Sequence, residues 1–188
     1  MAQNLGNQFI WLDLEMTGLK PESDVILEIA TLITDSDLNV LIEGPDLVLH
    51  QPDAVLDGMD DWNKHQHGKS GLVQRVRAST EDIASAESQT LEFLKHNFKS
   101  KTAILCGNTI WQDRRFLARY MPTLEAFFHY RMIDVSSLKI LYQHWYPDLA
   151  PFIKSDSHLA LNDIRESAAE LRFYREKMFH HPEIIPSP

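Results

Sequence analysis

The chain has 188 residues, 44% hydrophobic and 24% charged, with one cysteine and a formal net charge of −9. These values fit a single folded domain and exclude a disordered or low-complexity chain, while the acidic balance disfavours a surface that coats long nucleic acids. No apolar run approaches the about 20 residues of a membrane-spanning helix. Cys106 alone forms no internal disulfide, and MAQNLGNQ has neither a basic start nor an apolar stretch, so no secretory leader and a cytoplasmic location are expected.

Residues 9–15 (FIWLDLE) are an apolar run ending in alternating carboxylates, which predicts a strand buried on both faces. Residues 25–34 (VILEIATLIT) and 39–49 predict two more strands, with a turn at Asp35-Ser36-Asp37 and an interruption of the third strand at Gly44-Pro45. Residues 51–78 carry few periodic signals. Trp62, His65, His67, Gly68 and Gly71 stand there among charged residues, which makes this long connection a candidate binding element.

Ile83, Glu87, Leu91, Leu94 and Phe98 recur at helical spacing behind Ser79 and Thr80, with Asp82 near the start. Residues 102–106 (TAILC) predict a further buried strand that turns at Gly107-Asn108 into a helix carrying Asp113, Phe116 and Leu117. Val135, Leu138, Leu141, Tyr142 and Trp145 mark another helix. Ile164, Ala168, Leu171, Tyr174 and Met178 mark the last, with Asn162 a candidate N-cap and Arg165, Glu166, Glu170 and Arg172 turned to water or a partner. The tail 180–188 (HHPEIIPSP) has three prolines and is expected to be irregular, leaving one domain with its core at about 8–179. Strands that lead and helices that follow predict an α/β fold, a mixed sheet flanked by helices.

Asp13 and Glu15 lie at i and i+2 of the first strand, so both side chains leave one face. Alone, the pair suits a solvated edge strand better than a site. In a strand buried on both faces, however, two adjacent carboxylates repel unless a cation lies between them, and a hard, oxygen-liganded divalent ion is the natural remedy. Asp113 alone reads as an exposed helical residue beside Arg114 and Arg115, and Asp163 as a helix-start residue favoured by the dipole. His158 alone reads as an ordinary surface or core histidine.

In order along the chain, IWLDLEMTGL, GNTIWQDRRFL and HLALNDIRES resemble the three motifs of the DEDD group of 3′→5′ exonucleases, in the subgroup that uses a histidine. The flanks MDDWNKHQHGKSGL, FFHYRMIDVSSLK and DIRESAAELRFYR are similar to the oligoribonuclease family within that group, and the resemblance runs from about Phe9 to about Met178. It implies a ribonuclease H-like fold. It also implies a metal-dependent hydrolase that takes very short RNA, down to the dinucleotide, to nucleoside 5′-monophosphates.

By this resemblance Asp13, Glu15, Asp113 and Asp163 hold two Mg²⁺ or Mn²⁺ ions about 4 Å apart, and His158 is the general base. Four carboxylates against two divalent cations would let an acidic protein accept a phosphodiester. Leu19 would wedge between two bases, Trp62 and His67 would line the base or phosphate pocket, and Thr109, Gln112 and Ser136 would bond sugar or phosphate. His65, two residues from His67, leaves the phosphate-contacting histidine open between them. The family is a homodimer in which Tyr130, with Arg131, would reach across to cap the phosphate end in the other subunit's site. Without the resemblance, Leu19 reads as a turn residue and Tyr130 as an ordinary aromatic.

Overall fold

The computed structural model describes residues 8–154 and 160–179. Strands β1 (Gln8–Met16), β2 (Ile26–Asp35) and β3 (Val40–Val48) form an antiparallel meander. The chain then forms α1 (Asp53–Asp57), α2 (Asp61–Lys69), α3 (Leu72–Ala78) and α4 (Ile83–Asn97), followed by β4 (Leu105–Gly107). Next come α5 (Ile110–Tyr120), α6 (Pro122–Glu125), β5 (Met132–Asp134), α7 (Val135–Trp145) and α8 (Ala160–Met178). The sheet order is β3-β2-β1-β4-β5, with β4 parallel to both β1 and β5, which makes it mixed with β1 at its centre.

Burial on both faces explains the apolar runs of β1 and β2. Ile10, Leu12 and Leu14 face one layer with Ala86 and Leu94 of α4 and Phe116 and Leu117 of α5. Trp11, Ala30 and Leu32 face the other with Val135 and Tyr142 of α7 and Ile164, Ala168 and Tyr174 of α8. Trp11 is wholly buried and its indole N–H donates to Thr34 Oγ1 at 3.0 Å, so truncating it to Ala would cost about 3–5 kcal/mol. Asp13 and Glu15 continue the Trp11 face of β1, towards α8. At Gly107 a Cβ would lie 2.9 Å from the Leu12 carbonyl oxygen, so the close passage of β4 over β1 requires glycine there.

Several elements differ from expectation. Residues 51–78 form three short helices instead of an aperiodic connection. Each is too brief to show a period; α1 and α3 lean on a small cluster of Leu27, Leu56, Met59, Leu72 and Val76, while α2 buries Asn63 and His67. The Asp60 carboxylate caps α2 by accepting from the Asn63 N–H at 2.8 Å. The third strand is not broken at Gly44-Pro45; it runs through with a register shift, and Gly44 packs so closely on Thr31 and Phe93 that a Cβ would collide with both. The TAILC strand starts only at Leu105, while β5 was missed because three residues show no alternation. Asn162 lies inside α8 and is not its N-cap; its Oδ1 accepts from Arg165 Nη1. Glu170 is wholly buried rather than solvent-facing. Among the described residues no helix is long and apolar enough to cross a membrane.

Candidate active site

Short β4 runs parallel to β1 and pairs with it at Ile10 and Trp11, so β1 carries Asp13 and Glu15 past the end of β4, and the space beyond parallel strand ends is where such sheets place ligands. The spacing of Asp13 and Glu15 brings both from β1 to the α8 face, where Asp163 arrives from the first turn of that helix. Oxygens of these three carboxylates all lie within 4.8 Å of one another. Asp113, buried in the first turn of α5, closes in from the β4 side, and its Oδ1 accepts the Leu14 backbone N–H at 3.0 Å.

Such proximity is unfavourable for bare anions. Burial, then repulsion from Asp113, Glu15 and Asp163, raises the Asp13 carboxyl well above the usual carboxylate range. Burial with Asp163, Glu28 and Asp113 pushes Glu15 up to about 8, and burial pushes Asp113 up to about 7. Two cations work against this: Lys154 lowers Asp13, and Arg75 lowers Glu15. An all-oxygen donor set at this spacing, held against its own repulsion, fits a hard divalent cation.

The remaining predicted residues fall into groups. His67 is buried, and because the Met16 carbonyl 2.9 Å away can only accept, Nε2 carries the proton and Nδ1 turns to Glu15, 3.8 Å off. His65, exposed on the other side of α2, is thereby separated from it. Gln112 is buried and its Nε2 donates to the Leu19 carbonyl at 2.6 Å; the Tyr120 hydroxyl ties the same turn at Asp24 O. The Leu19 side chain is nevertheless 68% exposed, and with Trp62, 64% exposed, it lines a cleft of about 790 Å³ that begins at Thr17 and Gly18.

Thr109 and Ser136 meet at 3.0 Å between hydroxyls, because Asp134 Oδ1 accepts both of their backbone N–H groups at 2.9 Å. Thr109 takes a left-handed φ of 53° to start α5 there. Tyr130 and Arg131 form a separate pair, the guanidinium over a ring that is 70% exposed, with Arg114 Nη1 fixing the Tyr130 carbonyl at 3.0 Å. His158 lies outside the described residues.

One participant escaped the sequence reading. Glu28 pairs with Glu15 across β1 and β2, is almost wholly buried, and forms an ion pair and hydrogen bond with Arg75 of α3. A lone acid inside the otherwise apolar ILEIATLIT was its available signal.

The family model for the RNase T exonucleases matches residues 10–171. A protein named oligoribonuclease from Alcanivorax borkumensis is 62% identical over 171 residues, covering 90% of this chain and 94% of that one. Another, from Chromobacterium violaceum, is 57% identical over 177 residues, covering 94% and 97%. Among solved structures, exonuclease I from Methylocaldum szegediense superposes with a TM-score of 0.66 at 18% identity over 92% of this chain. Exonuclease I of E. coli bound to a dT13 oligonucleotide gives 0.66 at 17% over 90%. The chain spans 41% of the length of each exonuclease I chain, and these likenesses speak for the ribonuclease H-like fold alone. A mixed sheet with carboxylates gathered at its strand ends, a family match over most of the chain and relatives of this identity agree: the chain belongs to the RNase T exonuclease family, among the oligoribonucleases, and is a nuclease.

Proposed function

We propose that this nuclease hydrolyses very short RNA, dinucleotides foremost, from the 3′ end to nucleoside 5′-monophosphates in the cytoplasm. Asp13, Glu15, Asp113 and Asp163 would hold two divalent cations, Mg²⁺ or Mn²⁺. The observation that carries the reading is the cluster of Asp13, Glu15 and Asp163 within 4.8 Å, half-buried and electrostatically strained without a cation, in a chain 62% and 57% identical to two proteins named oligoribonuclease. When bound, such ions supply positive charge at the water and at the leaving 3′ oxygen.

The protein's own groups do the rest. His158, in its neutral form, takes the proton from the attacking water at an imidazole nitrogen. His67 of α2, tied to the end of β1 through the Met16 carbonyl, stands beside Glu15 and lines the phosphate pocket. Leu19, presented by a turn that Gln112 and Tyr120 fix, enters between the two bases, and Trp62, which lines the same cleft, stacks on a base. Base stacking at about 1–3 kcal/mol each replaces the basic groove this acidic protein lacks. Thr109 and Ser136 offer paired hydroxyls to sugar or phosphate.

The protein acts as a homodimer in which Tyr130, with Arg131, caps the phosphate end in the partner's site. Exposed Ile140, Leu141 and Trp145 on α7, and the exposed Tyr130 ring, support a partner surface. The test is turnover of 5′-labelled RNAs of two to seven nucleotides with Mn²⁺ and an EDTA control. Preference for the dinucleotide, abolished by EDTA, is expected. Rates that climb steadily with length would replace the reading with an exonuclease of longer strands.

A further inference from the structure

Lys154 lies in the segment leading from α7 to α8, and its ammonium joins two elements that carry candidate ligands. Nζ donates to Asn108 Oδ1 at 3.0 Å and to Ser167 Oγ at 3.4 Å, and stands 3.2 Å from Glu170 Oε2. Asn108 opens the turn into α5, the helix of Asp113. Ser167 lies one turn beyond Asp163 on α8 and donates its hydroxyl to the Asp163 carbonyl at 2.7 Å. Glu170 closes the ring: Oε2 accepts from Asn108 Nδ2 at 2.9 Å, Oε1 accepts from the Tyr174 hydroxyl at 2.7 Å, and Lys139 Nζ approaches at 3.8 Å. The lysine also faces Asp13 closely enough for its charge to favour the ionised carboxylate. A wholly buried carboxylate with this many donors is satisfied, and such networks fix geometry more surely than they add stability.

We propose that Lys154 is a positioning residue: through Asn108, Ser167 and Glu170 it sets Asp113 of α5 against Asp163 of α8, and so fixes the spacing at which the carboxylates hold their cations. The inference rests on the carboxylate centre of the proposed function and adds a residue outside the ligand set. Charge and alignment predict opposite signs. Removing a cation beside an acidic cluster strengthens its grip on a divalent ion, whereas losing alignment weakens it.

The test titrates metal-free wild type, Lys154→Met and Lys154→Met/Glu170→Gln with Mn²⁺ by calorimetry, and measures kcat and KM on a labelled dinucleotide. In Lys154→Met, Mn²⁺ affinity and kcat each fall by roughly 10-fold or more, with KM changed by less than about threefold. The double variant no longer buries a carboxylate that has lost its nearer ammonium, so it recovers the melting temperature but neither Mn²⁺ affinity nor kcat. Lys154→Cys alkylated with bromoethylamine regains an ammonium at lysine's length and most of both functions. Cys106 is buried, and wild type treated alike is the control.

Mn²⁺ bound by Lys154→Met as tightly as by wild type, or affinity returning with stability in the double variant, would overturn the positioning role. Wild type that binds no Mn²⁺ would overturn the carboxylate-centre reading, and this inference with it. Wild type that binds Mn²⁺ but leaves the dinucleotide intact would overturn only the substrate reading, with the affinity comparison still deciding the lysine's role.

Discussion

On the floor of the site, Asp13, Glu15 and Asp113 are walled in by β1, β2, α5 and α8, whereas the exposed rim, Leu19 and Trp62 here and the Tyr130 proposed for the partner's site, gives most of its side-chain surface to solvent. The floor is crowded with like charge that protonation or a bound cation relieves, on a geometry fixed by the elements around it. The rim is the reverse. Its backbone is pinned, by Gln112 and Tyr120 at the Leu19 turn and by Arg114 at Tyr130, while its apolar surface awaits bases or a second subunit. On the proposed function, chemistry belongs to the rigid part and substrate size to the displayed part, so substitutions in the two should fail differently.

The largest effect is expected on the floor. Asp13→Asn should fold, because it removes a repelled buried charge, yet lose activity on the order of 10³-fold, in keeping with several kcal/mol of lost charge stabilisation. Thermal melting in EDTA should show it at least as stable as wild type. A variant that melts earlier and keeps its turnover would mean that Asp13 is structural.

On the rim, Tyr130→Ala should fold and dimerise but lose roughly 10- to 100-fold in dinucleotide turnover, the equivalent of one stacked base, with little change in Mn²⁺ affinity. Sedimentation and a metal titration separate the two outcomes. Unchanged turnover would remove the cross-subunit cap.

Protons sharpen the same contrast. In the metal-free protein, burial foremost holds Glu15 at about 8 and Asp113 at about 7, above the roughly 4 of an unfolded carboxylate. A raised folded value contributes stability that is complete below the unfolded pKa and lost as pH climbs through the folded one. The melting temperature in EDTA should therefore drop by several degrees between about pH 5 and pH 9, and the rise produced by Mn²⁺ should grow over that window because the ion binds the ionised form. A melting temperature in EDTA that climbs through that range would show that the protein's own cations already neutralise the floor.

How much of this was legible follows from how local each cause is. The i, i+2 carboxylates of β1 and the helical stripes of α4 and α8 need only their own neighbours in sequence, and they were readable. The helices of residues 51–78 were not, since each is short, the few apolar residues of α1 and α3 make sense only against Leu27 of β2, and α2 buries polar Asn63 and His67. Glu170 reads as a solvent-facing helical acid until Asn108, Tyr174 and Lys154 are seen to converge on it from distant parts of the chain. The joining of Asp113 to the β1 carboxylates depends on a bond to the Leu14 N–H, a partner 99 residues away that no spacing announces.

The two histidines of α2 offer the finest test. In sequence they are equivalent candidates. On a helix, residues two apart point to nearly opposite sides, so only one can face β1. His67 is the one that does, buried with Nε2 on the Met16 carbonyl and Nδ1 towards Glu15. His67→Ala would leave that carbonyl unpaired in a buried position, at a cost of about 1–3 kcal/mol, and would lower both melting temperature and turnover. His65→Ala, on the exposed face, should shift stability by less than about 0.5 kcal/mol and leave turnover within about twofold. Measured side by side, a larger loss in His65→Ala would mean that the solvent-facing side of α2 meets the substrate. The base-lined cleft would then have to extend round the helix, away from the β1 carboxylates.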